Sequence, residues 1–320
     1  MRRLLPVICA CVAVTGFAGA AFAQTTFPDR PIRIVAPGTG GSADFVARLI
    51  AQGLGPRLRE QVIVDNRPNG LAPVEIVIRA QPDGYTILLY GSTVWLMPLL
   101  NSHVNYDPLR DLAPLTLAVS SPNIVVVPLT LPVKSIPDLI ALAKSKAGAL
   151  NYATTGTGNA THLAAELFKS MAGVDIVRIN YKSAGSAISE LMAAQTQLMF
   201  SPAAAVGPHV KAGRLHALAV TGPKPSMLYP ELPTVAASGL PGYASLAMSG
   251  VFAPARTPAN VISRLNSEIA QVLKSAEGRQ KLLNTGVEPV GSSPQELTAT
   301  MKAEIARMGK VIKAAGITAD

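Results

Sequence analysis

The chain has 320 residues, a formal charge of +9 and only two cysteines. Cys9 and Cys11 both lie in the N-terminal apolar segment, so the rest of the chain has no thiol, disulfide or thiolate metal site and is held by its core alone. The basic residues are scattered and few aromatics accompany them, which argues against a nucleic-acid groove; a mildly positive chain suits a small acidic ligand better.

The segment before Gln24 carries Arg2 and Arg3, then an apolar run, then Ala21-Phe22-Ala23. This is the three-part pattern of a secretory signal, read here as residues 1–23 with cleavage near Ala23. Pro6 and several small residues break the run, and a membrane anchor needs about 20 apolar residues without such breaks. Cleavage removes Arg2 and Arg3 and takes the charge from +9 to +7. About 300 residues then remain, ample for two domains. No later segment reads as a membrane span.

In chain order, Ile32 to Ala36 reads as a strand and Pro37 to Asp44 as a Gly-rich turn. Phe45 to Leu54 shows helical spacing that stops at Gly53 and Gly55. Strands follow at Gln61 to Asp65 and, after the turn Pro82-Asp-Gly84, at Tyr85 to Tyr90. Leu115 to Val127 is strand-like but broken at Ser120-Ser-Pro122. A helix opening at Val133 to Asp138 precedes the strand, turn and helix of Asn151 to Met171, in which Leu163, Leu167, Phe168 and Met171 share one face. Ile176 to Tyr181 is a strand, Ser186 to Ala194 a helix, and Gln197 to Phe200 and Leu215 to Thr221 are strands. At the C-terminal end, Thr257 is expected to cap a helix with Pro258 first in it, and Ser293-Pro-Gln-Glu296 is a capping box for the last helix. The alternation predicts an α/β fold of mostly parallel strands flanked by helices, with crossings between two lobes near 118–124 and 242–250.

The chemistry centres on the two Gly-rich turns. Gly156 and Gly158 permit a sharp turn and close approach, Thr157, Asn159 and Thr161 can cap the following helix, and a helix start offers unpaired N–H groups and a partial positive charge. Such a turn is equally a plain strand-to-helix connection. Two of them facing a shared cleft would together offset one carboxylate without a buried Lys or Arg. Asp44 either complements its own helix dipole or accepts a hydrogen bond from a ligand. His103, His162, His209 and His216 lack metal-ligand spacing, no nucleophile or Walker motif occurs, and His162 reads as a structural hydrogen bonder; no metal or cofactor is expected. An alternative reading is an exported enzyme that takes a nucleotide at Gly38-x-Gly40-x-x-Ala43, with Asp65 ending the next strand.

Phe27-Pro-Asp-Arg-Pro-Ile-Arg-Ile-Val35, Gly40-Gly-Ser-Ala-Asp44, Val64-Asp-Asn-Arg-Pro68, Pro82-Asp-Gly-Tyr-Thr86, Leu131-Pro-Val-Lys-Ser135, Asn151 to Phe168 and Ala314-Ala-Gly-Ile-Thr318 appear in that order. Together they resemble the Bug, or TctC-like, family of extracytoplasmic solute receptors. The resemblance implies a monomeric, two-lobed, type II-like periplasmic binding protein that is not an enzyme. Residues 24–121 and 245–320 would form lobe 1 and residues 122–244 lobe 2. It implies a small organic carboxylate as ligand, and delivery to a tripartite transporter with one large and one small integral-membrane permease subunit. The implied ligand residues are Pro37, Gly38, Thr39, Gly40, Gly41, Ser42 and Asp44; Ser92 and Thr93; Thr155, Gly156, Thr157, Gly158, Asn159, Thr161 and His162; and Tyr181, Ser183 and Ser201. Ala36-Pro37, the shortened Asn69-Gly-Leu-Ala-Pro73, Ser183, Ser186 and Ser201 depart from the family pattern, and Ser201 stands where an acid is common.

Overall fold

The computed structural model describes residues 27–319 except Asn69; the signal segment lies outside them. Among these residues, ten helices and ten strands are arranged around one mixed sheet of order β2-β1-β3-β9-β4-β7-β5-β6, with β8 and β10 pairing on β4. The strands are β1 Ile32–Ala36, β2 Val62–Asn66, β3 Thr86–Gly91, β4 Leu112–Pro128, β5 Asn151–Thr154, β6 Val177–Asn180, β7 Leu198–Pro202, β8 Leu215–Val220, β9 Leu246–Pro254 and β10 Glu288–Pro289. The helices are α1 Ser42–Leu58, α2 Ala72–Ile78, α3 Thr93–Leu100, α4 Ile136–Ser145, α5 Ala160–Ala172, α6 Ala184–Met192, α7 Ala203–Lys211, α8 Ala259–Lys274, α9 Ala276–Asn284 and α10 Pro294–Ala314.

β1 is parallel to β2 and β3, and β5 is parallel to β6 and β7. Between these parallel groups the pairs are antiparallel. β4 runs beside β9 from Leu112 to Pro122, then beside β7 from Asn123 to Val126 and β8 from Ile124 to Pro128. Ser120-Ser-Pro122 is therefore not a break. It is where an unbroken 17-residue strand changes neighbours. Because β9 is antiparallel to both β3 and β4, the first half of β4 runs in the sense of β3, and β7 runs against its second half. The C-terminal edges of the two parallel groups consequently face each other across the point where β4 crosses. The connections from β1 to α1, β3 to α3, β5 to α5 and β7 to α7 each deliver a helix N-terminus to this gap.

Strand alternation divides the core into three parts. Ile32, Ile34, Ile87 and Leu89 pack under α1 and α8, while Ile124, Val126 and Met199 pack with Ala187, Leu191 and Val206 of α6 and α7. The third cluster is continuous across both halves. It joins Leu88, Trp95 and Phe252 to Tyr152, Phe168, Phe200 and Tyr243, and is covered by Leu297, Met301 and Met308 of α10. Trp95 meets Phe252 edge-on at 6.2 Å. Phe168 lies 5.6 Å from Phe200 and 6.4 Å from Tyr243.

Several helix limits differ from the sequence reading. α1 continues through Gly53, Gly55 and Pro56. A Cβ at Gly53 would stand 2.5 Å from the nearest Val272 methyl, so this glycine lets α8 approach and does not end a helix. Thr257 donates its hydroxyl to the Pro254 carbonyl and makes no cap, and Pro258 is the N-cap position of α8. The Ser293–Glu296 capping box forms as expected. On α5, Leu163, Leu167 and Phe168 are buried and Met171 is 38% exposed.

The turn before α5 is closed by its own side chains. Gly156 and Gly158 take φ of +81° and +73°. The Asn159 side chain caps α5 by accepting from the His162 N–H at 2.9 Å, and the Thr161 hydroxyl donates to the same oxygen. The Gly158 N–H donates to His162 Nδ1 at 3.0 Å, and the Gly156 N–H donates to Asn180 Oδ1 at 2.9 Å. Arg178 donates to the Gly156 carbonyl and the Thr157 hydroxyl. His162 is thus structural and neutral. Burial, reinforced by the Arg178 charge, lowers its pKa from 6.5 to about 4.

Two outcomes follow for stability. Trp95→Ala should destabilise by about 3–5 kcal/mol and Ser293→Ala by about 1 kcal/mol, read as shifts in the denaturant midpoint. Between pH 6.5 and 4 the unfolded chain binds a proton at residue 162 that the folded chain refuses. The His162 contribution is therefore complete above the unfolded pKa and is lost as pH falls toward 4. His162→Gln, which keeps an acceptor for the Gly158 N–H, should give a shallower fall in melting temperature across that window.

Candidate functional site

At the crossing, where the two C-terminal edges meet, lies a cavity of about 390 Å³. Its walls come from four helix starts: Ser42 and Ala43 of α1, Ser92 and Thr93 at α3, Ala160 of α5, and Pro202 and Ala204 at α7. The floor is Val119, Ser120 and Ser121 of β4 with Ala247, Met248 and Ser249 of β9, and the turn Thr285–Val287 closes one side. Ser92 and Thr93 are the N-cap and first residue of α3.

Of the four helix starts at this cavity only that of α5 has a side-chain cap. Away from it, α4, α6, α9 and α10 each have a side chain accepting from a first-turn N–H, and α2 and α8 do not. α1, α3 and α7 have none: their N-cap positions are Gly41, Ser92 and Pro202, without a side-chain cap bond. The first N–H groups of a helix have no intrahelical acceptor. Three sets of them border one cavity, where their positive dipole ends add. None of the described residues lining it bears a charged side chain.

The first Gly-rich turn is locked by Asp44. Its carboxylate accepts from the Gly40 N–H at 3.0 Å and the Asn66 amide at 2.9 Å, and pairs with Arg48 at 3.0 Å. Burial pushes this carboxyl upward, but the Gly40, Arg48 and Asn66 bonds outweigh it and hold it below its ordinary value. Asn66 also donates to the Pro37 carbonyl at 2.7 Å. Gly40, at φ +81°, makes the bend that aims the chain into α1. Asp65, the acid a nucleotide ribose would require, is instead paired with Arg67 at 3.0 Å and Arg33 at 3.5 Å.

Of the residues singled out from sequence, Ser42, Ser92 and Thr93 line the cavity. Pro37, Gly38, Thr39, Gly40 and Gly41 form the turn leading into it, with Asp44 in the first turn of α1. Thr155, Gly156, Thr157, Gly158 and Asn159 form the turn before Ala160, Thr161 and His162 lie in the first turn of α5, and Thr157 and His162 line a different groove. Tyr181 donates its N–H to the Thr154 carbonyl, and Ser183 caps α6. Ser201 is fully buried; it pairs with Ile124 and so shares the sheet face of α6 and α7. Sequence reasoning missed the start of α7, the β9 floor and the Thr285–Val287 turn. A larger groove of about 670 Å³ lies behind the second turn, between α5, Arg178 and the end of α10. Its charges are already engaged, Lys169 with Glu166 and Arg178 with the turn.

Residues 46–317 match the family model described as the tripartite tricarboxylate transporter family receptor, TctC. Protein BugT of Bordetella pertussis is 32% identical over 322 residues, covering 99% of this chain and 98% of BugT. Among solved structures, Rpa4515 of R. palustris with adipate is 35% identical at a TM-score of 0.72, covering 91% of this chain and 99% of that one. MatC from Rhodopseudomonas palustris with bound malate is 26% identical at a TM-score of 0.68, covering 89% and 100%. The architecture is the two-lobed α/β fold of these binding proteins, and no helix of the described residues is long and apolar enough to cross a membrane. With most of its length matched, this chain belongs to the TctC family of tripartite tricarboxylate transporter receptors, which are solute-binding receptors and not enzymes.

Proposed function

We propose that this protein is a periplasmic receptor that captures a small organic carboxylate between two lobes and delivers it to the integral-membrane permease subunits of a tripartite transporter. The observation that carries the reading is the convergence of the uncapped starts of α1, α3 and α7 on one cavity. Unpaired N–H groups at helix starts bind anions without a buried cation. The adipate and malate held by its relatives are carboxylates of the size such a cavity accepts. The lobes divide at 24–121 with 245–320 against 122–244, a division supported by the change of neighbours of β4 between Pro122 and Asn123 and by the start of β9 at Leu246. Residues 37–44, Ser92, Thr93 and 155–162 form the ligand's surroundings, with Tyr181, Ser183 and Ser201 at the lobe 2 edge. The receptor acts as a monomer after cleavage near Ala23.

The engaged Asp65 and the receptor family both weigh against the nucleotide-enzyme alternative. A thermal-shift screen of mono-, di- and tricarboxylates beside NAD separates the two. A bound carboxylate should stabilise by about 2.7 kcal/mol at a hundredfold excess over Kd; a shift with NAD and with no carboxylate would overturn the receptor reading. The N–H mechanism has its own test in Ser42→Pro. Proline is tolerated at the first position of a helix, and Gly41, at φ −90° and ψ 172°, has the extended backbone that a residue before proline prefers. The substitution removes one N–H donor at the cavity together with the Ser42 hydroxyl, so Ser42→Ala, which removes the hydroxyl alone, is the reference. Against that reference, Ser42→Pro should weaken carboxylate binding about tenfold in calorimetry and leave the ligand-free melting temperature almost unchanged.

A further inference from the structure

The proposed lobe division sets residues 122–244 against the rest of the chain, with β4 and β9 at the crossing. Away from those strands, polar side chains scarcely link the two parts. Among the described residues no ion pair joins them; each pair lies within one part. The Ser121 hydroxyl reaches the Pro122 carbonyl at the junction itself. Beyond that, the side-chain hydrogen bonds that cross are the pair accepted by Glu288. Its Oε1 takes the Ser226 hydroxyl at 2.6 Å and the Met227 N–H at 2.8 Å. A carboxylate acceptor makes such bonds short and roughly twice as strong as neutral ones.

Both ends of this link are anchored. Glu288 sits in β10 opposite Ser120, and Val290 and Gly291 just beyond it donate their N–H groups to Ala118 and Leu117. Val287, just before it, is buried with Leu282 in the core beneath α1 and α8. On the other side, Ser226 is buried and its oxygen accepts the Leu228 N–H at 3.0 Å. Leu228 and Tyr229 then join the core of Ile124, Val206 and Leu215, and the Tyr229 hydroxyl donates to the Ala203 carbonyl at 3.3 Å.

The link stands beside the turn Thr285–Val287 that closes one side of the cavity, and Glu288 itself is not part of the lining. Gly286 in that turn has φ +77°, and a Cβ on it would lie 3.0 Å from the Ala204 Cβ in α7. Turn and helix start, one from each lobe, therefore meet at the cavity wall. The other close approach between lobes is apolar: a Cβ at Gly158 would lie 2.9 Å from Leu100 Cδ1. Apolar surfaces can slide past each other, whereas directed hydrogen bonds weaken steeply with misalignment. The lobe arrangement that sets the starts of α1 and α3 opposite those of α5 and α7 is the one in which Glu288 makes both bonds.

We propose, on the lobe and carboxylate readings above, that Glu288 is a positioning residue that clasps lobe 2 to the turn beside the cavity and holds the helix starts of both lobes at binding distance. It does so from outside the cavity. A receptor whose binding-competent arrangement is only fractionally populated loses affinity by that fraction, and the clasp keeps the fraction high.

The chain beyond Ala23 has no cysteine, so Gln52→Cys on α1 and Ser189→Cys on α6, both exposed, place one spin label on each lobe of the full mature chain. Electron-spin distance measurement should give a narrow distribution in this parent. Glu288→Ala should broaden it. The same substitution should raise the Kd of the tightest acid in a screen containing adipate and malate about tenfold by calorimetry. Saturation with that acid should narrow the distribution again. Glu288→Gln keeps an oxygen acceptor and should stay within about threefold of the parent Kd. Ser226→Ala removes the shorter bond, serves as the second variant if Glu288→Ala does not fold, and should add little to Glu288→Ala, because both act on one link. A folded Glu288→Ala chain with the parent's distance distribution would overturn the clasp, as would a broadened distribution with an unchanged Kd. If no acid of the screen binds the parent, the carboxylate reading falls, and the distance distributions still decide whether Glu288 holds the lobes.

Discussion

A single continuous strand sets the geometry on which the rest depends. β4 runs toward the C-terminal edge of one parallel group, crosses, and runs away from the C-terminal edge of the other. Because β9 is antiparallel to β3 and to β4, and β7 is antiparallel to β4, no freedom remains in the sense of the two groups. Because each follows a strand that ends at this edge, α1, α3, α5 and α7 start at one gap. Two separate sheets without a shared strand would carry no such constraint. The cavity at the crossing is thus a consequence of topology before it is a consequence of any side chain.

That topology explains how a site with no charged lining can attract an anion. Each helix start contributes a partial positive charge of about half an elementary unit and a few directed N–H groups. A lysine or arginine would bring a full charge, and burying it in the ligand-free cleft would require a partner. Helix ends avoid that requirement because their charge belongs to the backbone. The missing caps at α1, α3 and α7 each forgo about 1 kcal/mol of helix stabilisation. The apolar cluster that runs unbroken beneath both halves, from Trp95 and Phe252 to Phe168 and Tyr243, more than offsets this. The acid in the first turn is engaged by the scaffold. Asp44 holds Gly40 and Asn66 in place, and its charge is already matched by Arg48.

Much of this was legible in the sequence. The strands that alternate between two apolar faces, the turns at Gly40 and Gly156, and the capping box at Ser293 each rest on local rules that the tertiary structure obeys. The failures fall where those rules are broken. α3 and α7 have Pro98 and Pro208 inside them and no capping bond at their starts, so the sequence pattern assigns no helix there. Ser120-Ser-Pro122 has the composition of a turn and is the crossing point of a 17-residue strand. Its irregular composition is tolerated because β9, β7 and β8 between them pair the strand on both sides of Pro122. Gly53 and Gly55 read as a stop, yet Gly53 serves the packing of α8 on α1. Sequence patterns report local preference, and these positions are set by distant partners.

The two Gly-rich turns, alike in composition, have different roles in the fold. In the second, Asn159 caps its helix, His162 and Asn180 take the glycine N–H groups, and Arg178 braces the outside. Little donor capacity remains there beyond the start of α5 at Ala160. In the first, only the Gly40 N–H is engaged by a side chain, and α1 starts without a cap. On this side of the cavity the start without a side-chain cap is that of α7, a helix announced in sequence by nothing stronger than Pro202-Ala-Ala-Ala. A turn rich in glycine marks where the chain bends. Whether it also binds depends on which of its N–H groups the fold leaves without an acceptor, and only the three-dimensional partners decide that.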